Sequence, residues 1–74
     1  MGAAASDPGL SGRELEVVAS LVEGMSNAEI GEALFISANT VRNHVQRISA
    51  KLGASSRLDI AMSALRRGLL ELPR

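Results

Sequence analysis

The chain has 74 residues, 46% of them hydrophobic, no net formal charge, no cysteine and a single aromatic residue, Phe35. That length supports one domain near the small end of what folds unaided, and without thiols neither a disulfide nor a thiolate metal site can compensate for a small core. No apolar run approaches the ~20 residues of a membrane span, residues 1–9 lack the charged and apolar regions of a signal peptide, and a core of Leu, Ile, Val, Ala and Met suits helices, so the expectation is a soluble, intracellular, all-α domain.

Residues 1–9, rich in Ala, Gly, Ser and Pro, show no amphipathic pattern and read as a loose tail, with the folded domain at 10–70 and a short tail at 71–74. The first helix is expected over 12–23. Ser11 followed by Glu14 spells a capping box, and Leu10 is placed to staple onto Leu15. Leu15, Val18, Ala19 and Val22 recur at helical spacing, with Leu21 broadening the stripe. Gly24 supplies a stop.

The same layout starts a second helix over 27–34, with Ser26 and Glu29 as the box and Met25 and Ile30 as the staple. Ile30 and Leu34 face inward with Gly31 beside them. A glycine inside a helix costs up to ~1 kcal/mol against alanine, so Gly31 implies that another backbone approaches closely there.

Only Phe35, Ile36 and Ser37 separate this helix from the next, a turn too short to be anything but tight. Phe35, a lone aromatic inside that turn, reads as core rather than as a base-stacking platform. Ser37 then caps a third helix over 38–52, with Ile36 and Val41 as its staple and Thr40 in place of the glutamate. Val41, Val45, Ile48 and Leu52 form its inner line.

The opposite face of the third helix carries Asn39, Arg42, Asn43 and Gln46, side chains able to bond base edges in a major groove. Arg47 and Lys51 lie on its flank, where phosphate contact is the natural use of a cation. His44 is the only histidine. With no cysteine and no carboxylate at ligand spacing it builds no metal site, and between the core and basic faces it reads as a structural hydrogen-bonding residue. No cofactor-binding motif is present.

Gly53 ends the third helix, and Ser56 with Asp59 makes a weaker fourth start, for a helix over 57–67 closed by Gly68. Leu58, Ala61, Met62, Leu65 and Leu69 run along one side of it, Ile60 and Ala64 along another. A core built from three short helices covers one side only. Leu58, Met62 and Leu65 are the candidates for a partner subunit.

The zero net charge hides a segregation. Up to Ser37 the chain nets −5, and from Ala38 onward +5. One basic side is enough for phosphate contacts, and together with the third helix it points to a helix-turn-helix on DNA. Two other classes fit the chain less well. A helical protein-interaction module lacking DNA binding would want an apolar docking face where the third helix is polar and basic. An enzyme would want a glycine-rich phosphate loop or a histidine–carboxylate pair, and neither is present.

The chain resembles the LuxR/FixJ/GerE family of bacterial transcriptional regulators, in their C-terminal DNA-binding domain, from Leu10 to about Leu70. Leu10, Arg13, Glu14, Glu16 and Val17 match first, then Gly24, Ser26, Asn27, Glu29, Ile30, Leu34, Ile36, Ser37, Thr40, Val41 and His44. Ile48, Lys51, Leu52, Arg57, Ala64 and Gly68 complete the set. Gly31 stands where the family usually has alanine, and Ile60–Ala61 where it usually has alanine followed by a larger apolar residue.

The resemblance implies a four-helix domain whose third helix enters the major groove and whose fourth mediates dimerisation on a roughly two-fold site. It puts Arg42, Asn43 and Gln46 at base contacts, and Ser37, Asn39, Thr40, Arg47 and Lys51 near phosphate contacts. It further implies a bacterial cytoplasmic regulator with double-stranded DNA as partner, a weak homodimer stabilised on an inverted repeat, RNA polymerase as a further partner, and no cofactor. Such a domain is either a stand-alone regulator or the effector part of a longer protein.

Overall fold

The computed structural model describes residues 9–70; the expectations for the two tails, residue 9 apart, lie outside them. Four helices follow one another in this span: α1 (Gly12–Val22), α2 (Asn27–Leu34), α3 (Ala38–Leu52) and α4 (Arg57–Arg66), with no strand among the described residues. The fold class is the one the sequence implied.

Each helix begins on a serine whose hydroxyl accepts an otherwise unpaired backbone N–H. Ser11 Oγ accepts from Glu14 N at 3.1 Å while Glu14 Oε1 accepts from Ser11 N at 2.9 Å. Ser26 and Glu29 repeat both bonds at the same lengths. Ser37 accepts from Thr40 N at 3.0 Å, and the two hydroxyls lie 2.9 Å apart. At α4, Ser56 accepts from Asp59 N, but the Asp59 carboxylate reaches one residue further back, to Ser55 N at 2.9 Å. Each such cap contributes about 1 kcal/mol, a sizeable share of what holds so small a domain together.

The helix ends are as uniform as the starts. After α1, α3 and α4 the chain turns through a left-handed residue, Gly24, Gly53 or Gly68. The next N–H then bonds back across the last turn: Met25 to Ser20, Ala54 to Ser49 and Leu69 to Ala64, at 2.9–3.1 Å. The end of α2 has the same geometry, Ile36 N donating to Gly31 O at 2.9 Å, but its left-handed residue is Phe35, at φ 62°. Phe35 is 93% exposed. The expectation of a core aromatic is therefore wrong: the turn fixes a backbone conformation that points this side chain away from the core.

The core is aliphatic. Val17, Val18, Ile30, Val41, Ile48, Ile60 and Ala64 are fully enclosed, with Leu10, Leu21 and Leu52 at its margin. α1 packs chiefly on α4 and α3 chiefly on α2. On α1 the buried positions are Glu14, Val17, Val18 and Leu21. The expected stripe of Leu15, Val18, Ala19 and Val22 is rotated, with Leu15, Ala19 and Val22 only partly buried. The spacing is regular, but a carboxylate occupies its first place, so an apolar pattern could not show it. Gly31 behaves as expected. A Cβ there would stand 2.5 Å from the Ile36 carbonyl oxygen, so the short turn closes directly over the bare face of α2.

Glu14 is 2% exposed and is held by Lys51, whose Nζ donates to Glu14 Oε1 at 2.8 Å and to the Gly9 carbonyl at 3.1 Å. The Lys51 hydrogen bond, then the Ser11 N–H, keep the Glu14 carboxyl below its ordinary range, against the opposing effect of burial. A carboxyl whose value is depressed by folding stabilises the fold above its unfolded value, and that contribution is lost as pH falls through the folded one.

Two outcomes are expected. Glu14→Gln preserves the cap but removes the charge, so at pH 7 it costs about 1–2 kcal/mol, the range for hydrogen bonds to charged groups discounted for the partial exposure of Lys51. Chemical denaturation from pH 7 down to 3 will show the gap between wild type and variant closing as pH falls below the ordinary carboxylate value. Phe35→Gly relieves a left-handed strain of ~1–2 kcal/mol, partly offset by the greater freedom of glycine in the unfolded chain. A net gain of about 0.5–1 kcal/mol is expected, read as a Tm raised by a few degrees.

Candidate nucleic-acid interface

One side of α3 seals the core through Val41, Ile48 and Leu52, with Val45 partly buried alongside. This anchoring sets the outward direction of every other residue on the helix. Asn39, Arg42, Asn43 and Gln46 are all exposed, and their spacing of three, four and seven residues lines them up along one face. Arg47 is exposed beside that face. The row is a set of amide and guanidinium groups with no hydrogen-bond partner in the protein; all of them can donate and the amides can also accept.

At the leading end of α3, Ser37 and Thr40 share their hydroxyls. One O–H serves the bond between them and the other remains to give outward. Asn39 stands between them in sequence and is exposed. The positive end of the α3 dipole lies here as well, which favours an anion close to these groups.

Lys51 is placed differently from the expectation. It lies on α3 as expected, but its ammonium is bound to Glu14 and to the Gly9 carbonyl, so it fastens α3 to α1 instead of reaching outward. Two more basic side chains of the C-terminal half are likewise engaged. Arg57 donates to Asn27 Oδ1 at 2.6 Å and to the Met25 carbonyl at 2.7 Å, pinning the start of α2. Arg67 donates to Ser63 Oγ and to the Leu52 carbonyl, closing the end of α3. Among the described residues Arg42, Arg47 and Arg66 have no such partner, and two of these three stand on α3. The basic half is thus partly scaffold, and its free charge concentrates on the helix with the polar face.

Sequence reasoning gave no sign of the Arg57 and Arg67 clamps, whose targets include main-chain carbonyls and, for Arg57, a side chain 30 positions away. His44 also departs from expectation. It is half-buried, yet its Nδ1 is enclosed with no hydrogen-bond partner, so it does not act as a structural bonding residue through that atom.

α4 resolves the choice between its two apolar sides. Ile60, Ala61 and Ala64 turn inward, whereas Leu58 is 72% and Met62 46% exposed, one turn apart, with Leu65 half-buried next to them. No group of carboxylates or histidine able to hold a metal ion occurs among the described residues. No helix among them is long and apolar enough to cross a membrane.

Comparison with known proteins agrees with this arrangement. The profile of the family described as bacterial regulatory proteins, luxR family, matches residues 8–64. The chain is 44% identical over 61 residues to the transcriptional regulatory protein LiaR of Bacillus subtilis, a match covering 82% of this chain and 29% of that protein. It is also 44% identical over 62 residues to the oxygen regulatory protein NreC of Staphylococcus aureus, covering 84% of this chain and again 29% of the relative. The chain thus spans under a third of the length of these curated relatives.

Proposed function

The chain belongs to the luxR family of bacterial regulatory proteins, and on that premise we propose that it is the sequence-specific DNA-binding unit of a transcription regulator, with α3 in the major groove. The observation that carries the reading is the outward row of α3. It is the part of the described chain where unpartnered guanidinium and amide groups share one face.

Arg42, Asn43 and Gln46 are assigned to base edges. An arginine pairs with guanine N7 and O6, and Asn or Gln with adenine N6 and N7. Ser37, Asn39, Thr40 and Arg47 flank that row and are assigned to phosphates. Lys51 is left out of this set because its ammonium is engaged with Glu14. α4 is assigned to a second copy of the domain through Leu58, Met62 and Leu65. Two exposed apolar side chains and a half-buried neighbour make a patch well below the ~1,000 Å² of a robust interface, so the dimer is weak and forms on an inverted repeat, where each half-site raises the local concentration of the other subunit.

Arg42→Ala is expected to cost about 1–3 kcal/mol on the preferred site and much less on random duplex. Fluorescence anisotropy at fixed salt on both DNAs measures this, and equal losses on the two would make Arg42 a phosphate contact instead. Met62→Glu adds a charge at a half-exposed position, so the helical circular dichroism signal is expected to persist while cooperative binding to the full repeat disappears. Half-site affinity should stay within about threefold of the parent, since a rim position away from α3 touches no DNA.

A further inference from the structure

Among the described residues His44 Nδ1 is the one buried side-chain nitrogen or oxygen without a hydrogen-bond partner. The neighbouring polar side chains do not reach it. Thr40 pairs with Ser37 and Lys51 with Glu14, and Arg47 makes no hydrogen bond in the protein. The other ring nitrogen, Nε2, is neither enclosed nor bonded to protein.

A neutral imidazole carries a single N–H, on one nitrogen or the other. A proton on Nδ1 would bury a donor with nothing to receive it, and buried orphan donors are rarer in folded proteins than under-used acceptors. Burial therefore selects the tautomer with the proton on Nε2, the nitrogen that is not enclosed. Along α3, His44 follows Thr40 by four residues and precedes Arg47 by three, so the three share one flank beside the row of Arg42, Asn43 and Gln46. A helix seated in a groove presents its flanks to the groove walls, which are sugar and phosphate rather than base edges.

We propose that His44 is a phosphate-binding residue, donating from Nε2–H to a backbone phosphate on the flank it shares with Thr40 and Arg47. This rests on the DNA-binding reading above and adds to it a donor that the fold fixes in one tautomer. Because the donor is neutral, it strengthens binding without displacing a counterion. It should therefore leave the salt dependence of affinity alone, where an arginine would change it.

The test uses two neutral replacements in the same chain, compared at one fixed pH and salt. Glutamine places its amide nitrogen near the position of Nε2, and asparagine places its own near Nδ1. His44→Gln is expected to bind within about threefold of wild type, and His44→Asn to lose roughly tenfold, as when a hydrogen bond to a charged group is removed. The loss should be equal on preferred and random duplex, with an unchanged slope of log affinity against log salt. Wild-type binding by His44→Asn, an equal loss in both variants, a loss confined to the preferred sequence, or a shallower slope would each overturn the assignment.

Thermal melts establish that both variants are folded at the assay temperature. Should His44→Asn unfold, long-range nitrogen–proton NMR correlations of the wild-type ring in the free domain decide instead. The Nε2–H tautomer is expected, and a proton found on Nδ1 would overturn the proposal. A wild-type chain that binds no duplex at all would overturn the DNA reading together with this one, and that outcome is seen before any variant is made.

Discussion

The outward surface of α3 depends on what Glu14 does inside. An aliphatic core excludes water but is poor at fixing direction, because apolar contact is not directional. Ile30, Val41, Ile48 and Ile60 are fully buried and supply contact without hydrogen-bond direction. The Glu14 carboxylate adds that direction. One oxygen accepts both the Ser11 N–H and the Lys51 ammonium, so the start of α1 and the last turn of α3 are fixed to the same atom. The Gly9 carbonyl takes a second bond from the same ammonium. A charge this enclosed is costly alone and acceptable here because an ammonium and a backbone N–H both meet one of its oxygens. Its partner is lysine on a helix whose inner line is apolar, so the pair also sets how far α3 is rotated about its axis.

The other cations extend the same logic to the remaining helix ends. Arg13 reaches the Leu34 carbonyl at the end of α2, Arg57 the segment leading into α2, and Arg67 the Leu52 carbonyl at the end of α3. Carbonyls at the ends of helices carry partial negative charge and lack intrahelical donors, which makes them natural targets for guanidinium groups. A domain too small for a large core thus uses long basic side chains as cross-ties between helix termini. The segregation of charge along the chain has two causes, one architectural and one concerned with what lies outside.

Much of this was readable from the sequence because it is local. Serine caps, their glutamate partners and the terminal glycines act within six residues, and they locate all four helices to within a residue. The sole differences are Glu23 and Arg67, which keep right-handed helical angles just past the assigned ends of α1 and α4. Gly31 is legible for a related reason, since an unfavourable residue in a helix needs a steric explanation. What escaped is either long-range or hidden by residue type. The Lys51–Glu14 and Arg57–Asn27 bonds join residues 37 and 30 positions apart, with no periodicity to announce them. Glu14 occupies a core position that an apolar count passes over. Phe35 departs from the expectation because its chemistry suggests burial while the backbone of its turn decides otherwise. The face of α3 was visible in outline, yet the sequence alone does not separate a free cation such as Arg42 from an engaged one such as Lys51.

The division between local caps and distant cross-ties has a kinetic side. Helices whose first and last turns are specified by adjacent residues can begin forming before the chain has found its tertiary arrangement, and their contacts carry little loop-closure entropy. The cross-ties require the helices to be already docked, because each joins the end of one to a neighbour. Loss of a cap is therefore expected to slow folding, and loss of a Lys51, Arg57 or Arg67 bond to speed unfolding. The residues that hold α3 in place are thus the ones expected to set how long the folded state lasts.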